Sequence, residues 1–391
     1  MVKKGRQTAP DMSELDNTAK INWLNSSFLI LIPFVAAAGI IAHWLYFGPP
    51  GWFEFIIFFA MYFACGLSIT VGYHRLFSHR SHDASWPLVL FYAIFGAGAF
   101  QNSVIEWSSD HRNHHRKTDS TEDPYSASRG FWYSHIGWIL INEEIHANDF
   151  SNVKDLNKSK ILRWQHRNIF LIGALSGFAL PAALGYLWGG IPVAVGCFIW
   201  GGLARTVFVH HGTFLINSAA HIWGTQPYSD TDSSRDSFWL AFFTFGEGYH
   251  NFHHTFQADY RNGHKWFHVD PSKWWINVFR LVRLKSNLKR TPKHSIEIAK
   301  IDTRFKRCKE LLTRKNVDTA LFEKRHNQCR ESLRACMFEM HKAKEELKIA
   351  MENSKEVIKA RIAEMKVRLE SLKRDMKAII SEMNRGNVSV A

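Results

Sequence analysis

The chain has 391 residues, of which 46% are hydrophobic and 14% aromatic, and its formal net charge is +14 at pH 7. A mean hydropathy of −0.20 hides two unlike regions, an apolar one that runs to about residue 211 and a charged one from about residue 285. Because the basic residues flank apolar spans, attraction to anionic lipid headgroups explains the charge more simply than nucleic-acid binding does. Five cysteines without a CxxC pair favour neither a disulfide framework nor a zinc knuckle.

Four apolar stretches are long enough to cross a membrane, which takes about 20 apolar residues. They form two hairpins, each joined by a short turn without Lys or Arg. The polar segment 1–26 lacks the pattern of a cleavable signal peptide and predicts a cytoplasmic tail. Since Lys and Arg concentrate outside the two turns, both termini and both large polar segments are predicted to be cytoplasmic. The predicted crossings are about 27–47, 52–73, 168–188 and 191–211, within a membrane domain that covers 27–285.

A fifth apolar stretch, residues 86–105, is interpreted as a buried or interfacial helix that does not cross. If it crossed, the histidine clusters on either side of it would lie on opposite faces of the membrane and could not share a site.

The segment 297–385 is rich in Lys, Arg, Glu, Met and Leu, and it contains neither Pro nor Gly. Its apolar residues alternate at spacings of four and three, which is a heptad stripe. The pattern predicts long helices and leaves two arrangements open: a coiled coil that supports self-association, or a charged helix on the cytoplasmic surface. The stripe consists of Ile358, Ile362, Met365, Leu369, Leu372, Met376, Ile379 and Met383.

Nine histidines fall into three clusters and one further element. HRLFSH contributes two, and HRNHH and HNFHH each contribute three in the pattern His-x-x-His-His. On a helix, positions i, i+3 and i+4 share a face, so each triplet can aim three imidazoles at one point. His74 and His79 are five residues apart, which fits one helical face less well unless the helix ends or bends there. In NSAAH, Asn217 and His221 are four apart. The nine are His74, His79, His111, His114, His115, His221, His250, His253 and His254.

Nine imidazoles are too many for one ion with four to six coordination positions, and they suit two ions with four or five nitrogens each. Glu106, Asp110 and Glu247 are candidates to accept the free ring N–H groups of these histidines. His210 and His211, at the end of the fourth span, are weaker ligand candidates. The isolated histidines are interpreted as packing or surface residues: His43, His135, His146, His166, His264 and His268.

The motifs resemble those of the membrane-bound acyl-CoA Δ9 desaturases of the stearoyl-CoA type. GYHRLFSHRSH, FQNSVIEWSSDHRNHHRKTD, RGFWYSHIGWIL, NSAAHIWGTQPY and GEGYHNFHH follow one another between about residues 50 and 275. The resemblance implies an all-α integral membrane protein with four transmembrane helices, a helical cytoplasmic cap and, outside the resemblance, the C-terminal helical or coiled-coil extension. It also implies two iron ions held by the nine histidines, with Asn217 acting through a water molecule, and O2 as co-substrate. The implied reaction removes two hydrogens from carbons 9 and 10 of a saturated C16–C18 acyl chain.

The resemblance also assigns substrate residues by position. Asn102 and Trp107 match residues that line the substrate site of that family, whereas Phe58 and Tyr62 match the closed end of its acyl tunnel. Tyr62 is bulkier than the small residue expected for an 18-carbon chain, so we predict a preference for palmitoyl over stearoyl chains.

Two further expectations concern partners. Where the family contacts the CoA headgroup through basic residues, this chain has Ser109, Asn142 and Glu143, so acyl-CoA is expected while an acyl carrier protein or a phospholipid ester stays open. The nearby basic residues that could replace the lost charges are Arg112, Arg116 and Lys117. No haem-binding HPGG segment occurs, so electrons are expected from a separate ferredoxin or cytochrome-b5-type protein with its reductase. The location would be a membrane with the active site on the cytoplasmic side, the inner membrane in a bacterium.

Two other functions compete with desaturation. A hydroxylase of the same metal class shares the first hydrogen abstraction and differs in the spacing of its histidine boxes. A metal carrier or transporter would need polar ligands within its spans, and the spans here hold few ionisable groups, such as His43 and Glu54.

Overall fold

The computed structural model describes residues 20–142 and 150–385. Its contacts divide the chain into two compact units, one formed by Met1–Gln226 with Asp230–Thr291 and the other by Pro227–Ser229 with Pro292–Ala391. Both units are mostly helical in their described parts. Glu143 and His146, which the sequence analysis singled out, lie outside the described residues.

The first unit begins with two long apolar helices, α1 (Trp23–Phe47) and α2 (Trp52–Leu67). Helix α1 starts four residues before the predicted crossing, because the side chain of Asn22 accepts a hydrogen bond from the backbone N–H of Asn25 (3.1 Å) and caps the helix there. Helix α2 continues without interruption as a π-helix over Ser68–Ser78. The continuous apolar segment Trp52–Ser78 is therefore longer than the predicted one.

The fifth apolar stretch contains a short helix, α3 (Trp86–Ala97), which has 12 residues and a length of about 18 Å. That length is well below the ~30 Å hydrocarbon core of a bilayer. The backbone then turns through left-handed conformations at Phe100 (φ 54°) and Asn102 (φ 65°) before α4 (Val104–Lys117) begins. Residues 86–105 therefore do not form one continuous helix, which agrees with the interpretation that they do not cross.

Shorter elements connect and follow these helices in the first unit. Turns of 3₁₀-helix occur at Ala127–Arg129, Phe150–Val153 and Leu156–Lys158, and a π-helical turn occurs at Tyr133–Gly137. Two small antiparallel sheets pair β1 (Lys20–Ile21) with β3 (Ile141–Asn142) and β2 (Asp83–Ala84) with β4 (Lys285–Ser286). The helices are α5 (Trp138–Leu140) and α6 (Lys160–Arg167).

A second apolar helical stretch runs over Ile169–Ile222 and is broken in its middle. Gly189 (φ −151°, ψ 25°) and Gly190 (φ 68°, ψ −155°) depart from helical geometry. A β-carbon on Gly185 would lie 2.9 Å from the side chain of Cys197, although residues twelve apart in a straight helix are about 18 Å apart. The chain therefore reverses at Gly189–Gly190, where the sequence predicted the second turn.

This broken stretch contains α7 (Ile169–Ala174), α8 (Leu180–Cys197), α9 (Arg205–Asn217) and α10 (Ala219–Ile222), with π-helical segments at Leu175–Ala179 and Phe198–Ala204. The unit ends with α11 (Phe238–Phe243), α12 (His250–Thr255) and α13 (Pro271–Leu281). The long apolar helices expose large side chains such as Phe34, Leu45 and Leu187, as expected for surfaces that contact lipid. We conclude that the chain associates with membranes.

The second unit is a bundle of α14 (Lys293–Arg314), α15 (Ala320–Ile349) and α16 (Glu352–Asn384). Helices α15 and α16 are antiparallel, since Arg325 pairs with Glu382 near one end and Arg361 with Glu339 further along. The heptad residues Ile362, Leu369, Met376, Ile379 and Met383 are buried in the clusters that these helices form. The stripe that predicted a coiled coil is thus covered by helices of the same chain.

Candidate metal centre

A π-helical turn brings the first two histidines together. His74 lies in the π-helix that extends α2, and the backbone N–H of His79 donates to the carbonyl oxygen of His74 (3.1 Å). This i to i+5 hydrogen bond defines a π-turn, a feature found frequently at functional sites. It explains why a five-residue spacing, which suits an α-helix poorly, still directs both imidazoles to one place.

The two His-x-x-His-His triplets lie on helices, as their spacing predicted. His111, His114 and His115 occupy the last two turns of α4, whose start is fixed by a capping box between Ser103 and Glu106. His250, His253 and His254 make up half of the six-residue helix α12. Each triplet therefore presents three imidazoles from one helical face.

Five imidazoles converge into one group, here called the five-imidazole set: His74, His79, His111, His115 and His253. The Nε2 atom of His111 lies 2.8 Å from that of His79 and 3.1 Å from that of His115. The Nε2 atom of His253 lies 3.0 Å from that of His115 and 2.9 Å from that of His74. The set thus combines residues from the π-turn, from α4 and from α12.

The remaining four imidazoles form a second group, the four-imidazole set: His114, His221, His250 and His254. Their Nε2 atoms also face one another, at 3.3 Å between His114 and His254, 3.1 Å between His254 and His250, and 3.1 Å between His250 and His221. All four side chains are buried. Each triplet contributes imidazoles to both sets, so the sets are neighbours.

The spacing of the Nε2 atoms fits two metal ions. Two imidazole nitrogens bound at right angles to an ion, each about 2.1 Å away, lie about 3.0 Å apart. The measured separations of 2.8–3.3 Å match that geometry in both sets. A donor set of neutral imidazoles accepts iron, zinc, copper or nickel, and it does not by itself choose among them.

Electrostatics keep these imidazoles in the form that binds metals. Burial and the neighbouring imidazoles hold the pKa of the clustered histidines outside the apolar helices well below its ordinary value, so that their rings are neutral at pH 7. These residues are His79, His111, His115, His250, His253 and His254.

Several Nδ1 atoms point away from the two sets and contact oxygen atoms. The Nδ1 of His74 lies 2.9 Å from Glu247, and that of His114 lies 2.8 Å from Asp123. A carboxylate there favours a proton on Nδ1, which leaves Nε2 with a free lone pair directed at the set. Similar contacts join His111 to the Tyr125 hydroxyl (3.1 Å) and His221 to Ser233 (2.8 Å).

A buried ionic network holds Glu247 in place. The guanidinium of Arg75 donates to Glu247 at 2.8 and 3.0 Å and to Asp270 at 3.0 and 3.2 Å. The amide of Asn262 also donates to Glu247. Burial alone would raise the pKa of Glu247, but Arg75 and His74 lower it, so the carboxylate is ionised and able to accept a ring N–H.

A cavity of about 360 Å³ lies beside the five-imidazole set. Trp107 lines this cavity, and its ring stacks on the imidazole of His111 with centroids 4.9 Å apart. Tyr125 lines it too and stacks on His114 at 4.5 Å. Asn102 and Asn217 belong to the same wall, so three of the residues selected from the sequence meet in one cavity next to the imidazoles.

Comparison with known proteins identifies the fold that carries this site. Residues 50–270, more than half of the chain, match the fatty acid desaturase family model. The chain belongs to the fatty acid desaturase family. The matched segment contains all nine imidazoles of the two sets.

Named relatives within and beyond fungi are similar to this desaturase-family chain. The probable acyl-CoA desaturase of Schizosaccharomyces pombe is 42% identical over 71% of the chain, and acyl-CoA desaturase 1 of Saccharomyces cerevisiae is 41% identical over 73%. The chain spans little more than half of these two relatives, 56% and 55% of their lengths. The sn-1 stearoyl-lipid 9-desaturase of Anabaena variabilis is 33% identical over 69% of the chain, with 94% of the relative covered.

Two carboxylates selected from the sequence line the 360 Å³ cavity instead of contacting the imidazoles of the two sets. Glu106 accepts hydrogen bonds from the backbone N–H (3.1 Å) and hydroxyl (2.7 Å) of Ser103, because it forms the capping box of α4. Asp110 lines the cavity, where burial and the charge of Glu106 raise its pKa to about 7. Of the three candidates, Glu247 is the one placed against an imidazole of the two sets, whereas Glu106 lies 3.7 Å from His166, outside them.

Sequence reasoning missed Asp123, Tyr125 and Ser233 as partners of the imidazoles. They follow their histidines by 9 to 14 residues in loops and turns, where no helical periodicity connects them to a ligand. The one available signal was chemical type, since an acid shortly after a histidine box is a candidate to accept a ring N–H.

Phe58 and Tyr62 lie in a different aromatic cluster. Their rings are parallel with centroids 6.1 Å apart, and Tyr62 contacts Phe245 at 5.0 Å while Phe58 contacts Phe208 at 5.6 Å. The Tyr62 hydroxyl reaches the carbonyl oxygen of Phe243 (3.5 Å). The structure therefore groups these two residues with each other and outside the residues that line the 360 Å³ cavity.

The isolated histidines in the described part of the chain lie outside the two sets. His210 donates to the carbonyl oxygen of Ala99 (2.8 Å), and His211 contacts His135 (3.0 Å). His166 contacts Ser103 (2.7 Å), and His43 contacts the carbonyl oxygen of Pro192 (3.1 Å). His264 and His268 stack on Phe252 and Tyr249.

Proposed function

We propose that this chain is an oxygen-dependent fatty acyl desaturase, which uses two iron ions to introduce a cis double bond, at carbon 9, into a saturated C16–C18 acyl chain. The observation that carries the proposal is the division of nine imidazoles, seven buried and two partly buried, into a set of five and a set of four, with Nε2 separations of 2.8–3.3 Å. The names of the acyl-CoA and stearoyl-lipid desaturases among the relatives support the reaction and the position.

Iron bound by the two sets would supply the oxidising power that removes two hydrogens with O2. The chain's own residues bind the acyl chain and orient it against the imidazole sets. Trp107, which lines the cavity and stacks on His111, is suited to hold the acyl chain against the five-imidazole set. Asn102 and Asn217 offer the polar groups of the same wall, and Asn217 would contact the metal through a water molecule. Burial of the four-imidazole set keeps bulk water from the reacting carbons.

The acidic residues outside the sets act on proton placement rather than on substrate. Glu247 and Asp123 keep a proton on the Nδ1 atoms of His74 and His114, and this leaves Nε2 to bind metal. Tyr125 links the two sets, because its hydroxyl contacts His111 and its ring stacks on His114. These contacts fix the imidazoles before any metal binds.

Four crossings are proposed for the membrane domain, two in each hairpin. The reversal at Gly189–Gly190 supports the second hairpin, and the uncharged turn at 48–51 supports the first. Both hairpin turns would then lie on the non-cytoplasmic side of the membrane. The cytoplasm would contain the imidazole sets, the polar segments and the termini, in agreement with the distribution of Lys and Arg.

The aromatic cluster of Phe58 and Tyr62 is proposed to close the acyl tunnel. A bulky ring there shortens the space for the methyl end, so the enzyme would favour palmitoyl over stearoyl chains. Replacing Tyr62 by Ala should shift the product ratio toward C18 by about tenfold, which corresponds to the one or two methylene groups that an apolar pocket discriminates. Fatty-acid profiling after feeding both acids measures this ratio, with Ile56→Ala, at an exposed position of the same helix, as the control. Dominant C18 product from the unaltered enzyme contradicts the assignment.

Acyl-CoA is proposed as the substrate, in keeping with the yeast relatives. The basic residues close to the cavity are engaged by protein atoms: Arg112 donates to Asp155 and to carbonyl oxygens of Phe77 and Ser78, and Lys117 pairs with Glu122. Arg116, whose guanidinium donates to the side chain of Asn113 (2.7 Å), is the third basic candidate for recognition of the CoA phosphates. Assays with palmitoyl-CoA, palmitoyl acyl carrier protein and a palmitoyl phospholipid decide between the three carriers.

Electrons are proposed to come from a separate ferredoxin or cytochrome-b5-type protein with its reductase. The net charge of +14 favours an acidic donor through long-range attraction. The extension is proposed to serve contacts outside catalysis, self-association included, although the burial of its heptad stripe leaves other faces for such contacts.

The decisive experiment is expression of the chain in a host that lacks its own Δ9 desaturase, followed by fatty-acid profiling. Unsaturated C16 or C18 products lighter by two mass units, absent with His114→Ala, are expected. Products heavier by sixteen units would instead establish a hydroxylase. Purified protein that holds metal but forms neither product would favour a metal carrier.

A further inference from the structure

A single carboxylate lies alone among the apolar helices. Glu54 is the only Asp, Glu, Lys or Arg between residues 21 and 74, and residues 168–204 contain none. Its side chain belongs to a residue that is only 5% exposed. Among the described residues, no Lys or Arg side chain pairs with it. A buried carboxylate without a positive partner is costly and in membrane segments usually marks a binding function.

Glu54 faces a cavity of about 270 Å³ at the turns of the two hairpins, which is distinct from the cavity beside the imidazoles. The two turns lie side by side there: Phe53 stacks on Trp188 with centroids 4.6 Å apart and an interplanar angle of 4°, and Trp52 meets the same ring edge-on at 5.0 Å. These three aromatic side chains line the cavity together with Glu54 and His43. One carboxylate is thus surrounded by aromatic walls.

Close packing against Gly196 directs both polar groups to one point. A β-carbon on Gly196 would lie 2.9 Å from Nε2 of His43 and 3.0 Å from Oε1 of Glu54. The Nε2–H of His43 donates to the carbonyl oxygen of Pro192 (3.1 Å). Because that nitrogen is engaged as a donor, it offers no lone pair to a cation in the cavity.

The chemistry of the cavity selects among cations. A divalent metal ion needs several ligands, and one carboxylate beside a protonated Nε2 does not supply them. An alkylammonium group needs one carboxylate and the faces of aromatic rings, of which Trp gives the strongest attraction. Trp52 and Trp188, exposed by 58% and 56%, stand where interfacial aromatic residues meet lipid headgroups.

We propose that the cavity at the hairpin turns binds the ammonium headgroup of a zwitterionic phospholipid, with Glu54 as the counter-ion and Trp52 and Trp188 as the aromatic walls. The lipid belongs to the leaflet that faces away from the imidazole sets. This inference rests on the proposed four-crossing topology and not on desaturation itself. Its site lies outside the residues assigned to catalysis.

The test uses the purified full-length chain in nanodiscs. Phosphatidylglycerol nanodiscs are compared with nanodiscs that also contain phosphatidylethanolamine or phosphatidylcholine, and retained lipid is counted by native mass spectrometry after detergent extraction. The unaltered chain should retain a zwitterionic lipid, and Glu54→Gln should lower its retention about tenfold or more, since hydrogen bonds to charged groups are among the strong ones. Glu310→Gln, an exposed acid in α14, is the matched control and should retain as much lipid as the unaltered chain.

A further variant and a soluble competitor test whether the cavity binds the lipid headgroup. Trp52→Leu, at a half-exposed position, should also lower retention and serves if Glu54→Gln fails to fold; circular dichroism and metal content report on folding. Free ethanolamine at millimolar concentration should compete for the site if the headgroup alone suffices. Equal retention of phosphatidylglycerol and the zwitterionic lipids, or retention unchanged in Glu54→Gln, overturns the proposal. Desaturation by Glu54→Gln reports separately on the proposed function.

Discussion

The two units of the molecule differ in what they bury, because the first contains a buried polar cluster beside its apolar core and the second is held mainly by an apolar core. In the first unit the nine imidazoles, Arg75, Glu247 and Asp270 are largely buried together, so a central part of that unit is polar. In the second unit the core consists of apolar side chains such as Leu333, Met376 and Ile379. A hydrophobic core gains free energy from burial alone, whereas buried polar groups cost free energy until each has a partner.

This contrast separates the part of the molecule suited to metal binding from the part that contributes stability. The imidazole sets remain electrostatically incomplete without metal, because neutral Nε2 lone pairs face one another at about 3 Å. The core of the extension is complete as soon as its helices pack. Changes in the buried polar cluster of the first unit are therefore expected to act on metal binding and catalysis, and changes in the apolar core of the second unit on stability.

The largest effect is expected from removing one imidazole from each set. His79→Ala and His250→Ala should each lower activity about a thousandfold or more, since loss of a ligand removes several kcal/mol of metal-dependent transition-state stabilisation. Metal analysis should show fewer than two ions per chain in both. His341→Ala, an exposed histidine of α15, is the control and should keep both ions. If either variant retained two ions, the assignment of one ion to each imidazole set would be wrong.

Changes in the C-terminal bundle of α14, α15 and α16 are expected to have a large effect on stability and none on the catalysed reaction. Leu333 is 1% exposed, and Leu333→Ala should lower the free energy of unfolding by about 2–5 kcal/mol. Leu321, which is 66% exposed, provides the control, because Leu321→Ala should change it by about 0.5 kcal/mol or less. Chemical denaturation followed by hydrogen exchange in α14–α16 measures both. Loss of metal from folded Leu333→Ala protein would contradict the separation of roles.

A smaller effect should follow from changing a carboxylate outside the sets. Glu247→Gln keeps the size of the side chain but weakens its hold on the Nδ1 of His74 and on Arg75, so metal affinity should fall about 10–100-fold. Chelator competition measures the affinity. Glu122→Gln is the control, since Glu122 is exposed and pairs with Lys117. Equal affinities in the two variants would mean that the ionic network supports folding only.

The sequence predicted the helices and the nine imidazoles because both follow short-range rules. The His-x-x-His-His spacing places ligands on one face of α4 and α12, and apolar length predicts the hairpins. It did not predict the π-turn at His74, which depends on how α2 ends, nor Asp123 and Tyr125, which reach their histidines through loops. The heptad stripe was read correctly as helix, but periodicity does not say whether the covering helix belongs to the same chain.

Glu106 is a residue whose role the sequence predicted incorrectly for the same reason. Its position four residues before Asp110 in the segment that leads to HRNHH made it a candidate partner for an imidazole. In the structure Glu106 lies three residues after Ser103 and forms with it the capping box that satisfies the first backbone N–H groups of α4. Local sequence permits both roles, and only the start of the helix, set by the turn at Asn102, decides between them.

The smallest effect expected concerns a buried lysine outside both cores. Lys285 is 3% exposed; its Nζ lies 3.2 Å from Nε2 of His82 and 5.0 Å from the centre of the Tyr92 ring. Burial, with a further contribution from Arg75, lowers the pKa of Lys285 to about 6. The folded chain therefore holds this amine neutral at pH 7, while the unfolded chain protonates it below its ordinary pKa of 10.5.

Stability is accordingly lost as the pH falls from 10.5 toward 6, because over that range only the unfolded state gains the proton. Lys285→Met removes this penalty, so its melting temperature should exceed that of the unaltered chain by several degrees at pH 7. The difference should be largest at pH 6 and vanish near pH 10.5, as thermal unfolding at pH 6, 8 and 10 would record. Lys289→Met, at an exposed position, should show no such trend. A gain of the same size at every pH would instead reflect better packing of methionine and would leave the charge of Lys285 without effect on folding.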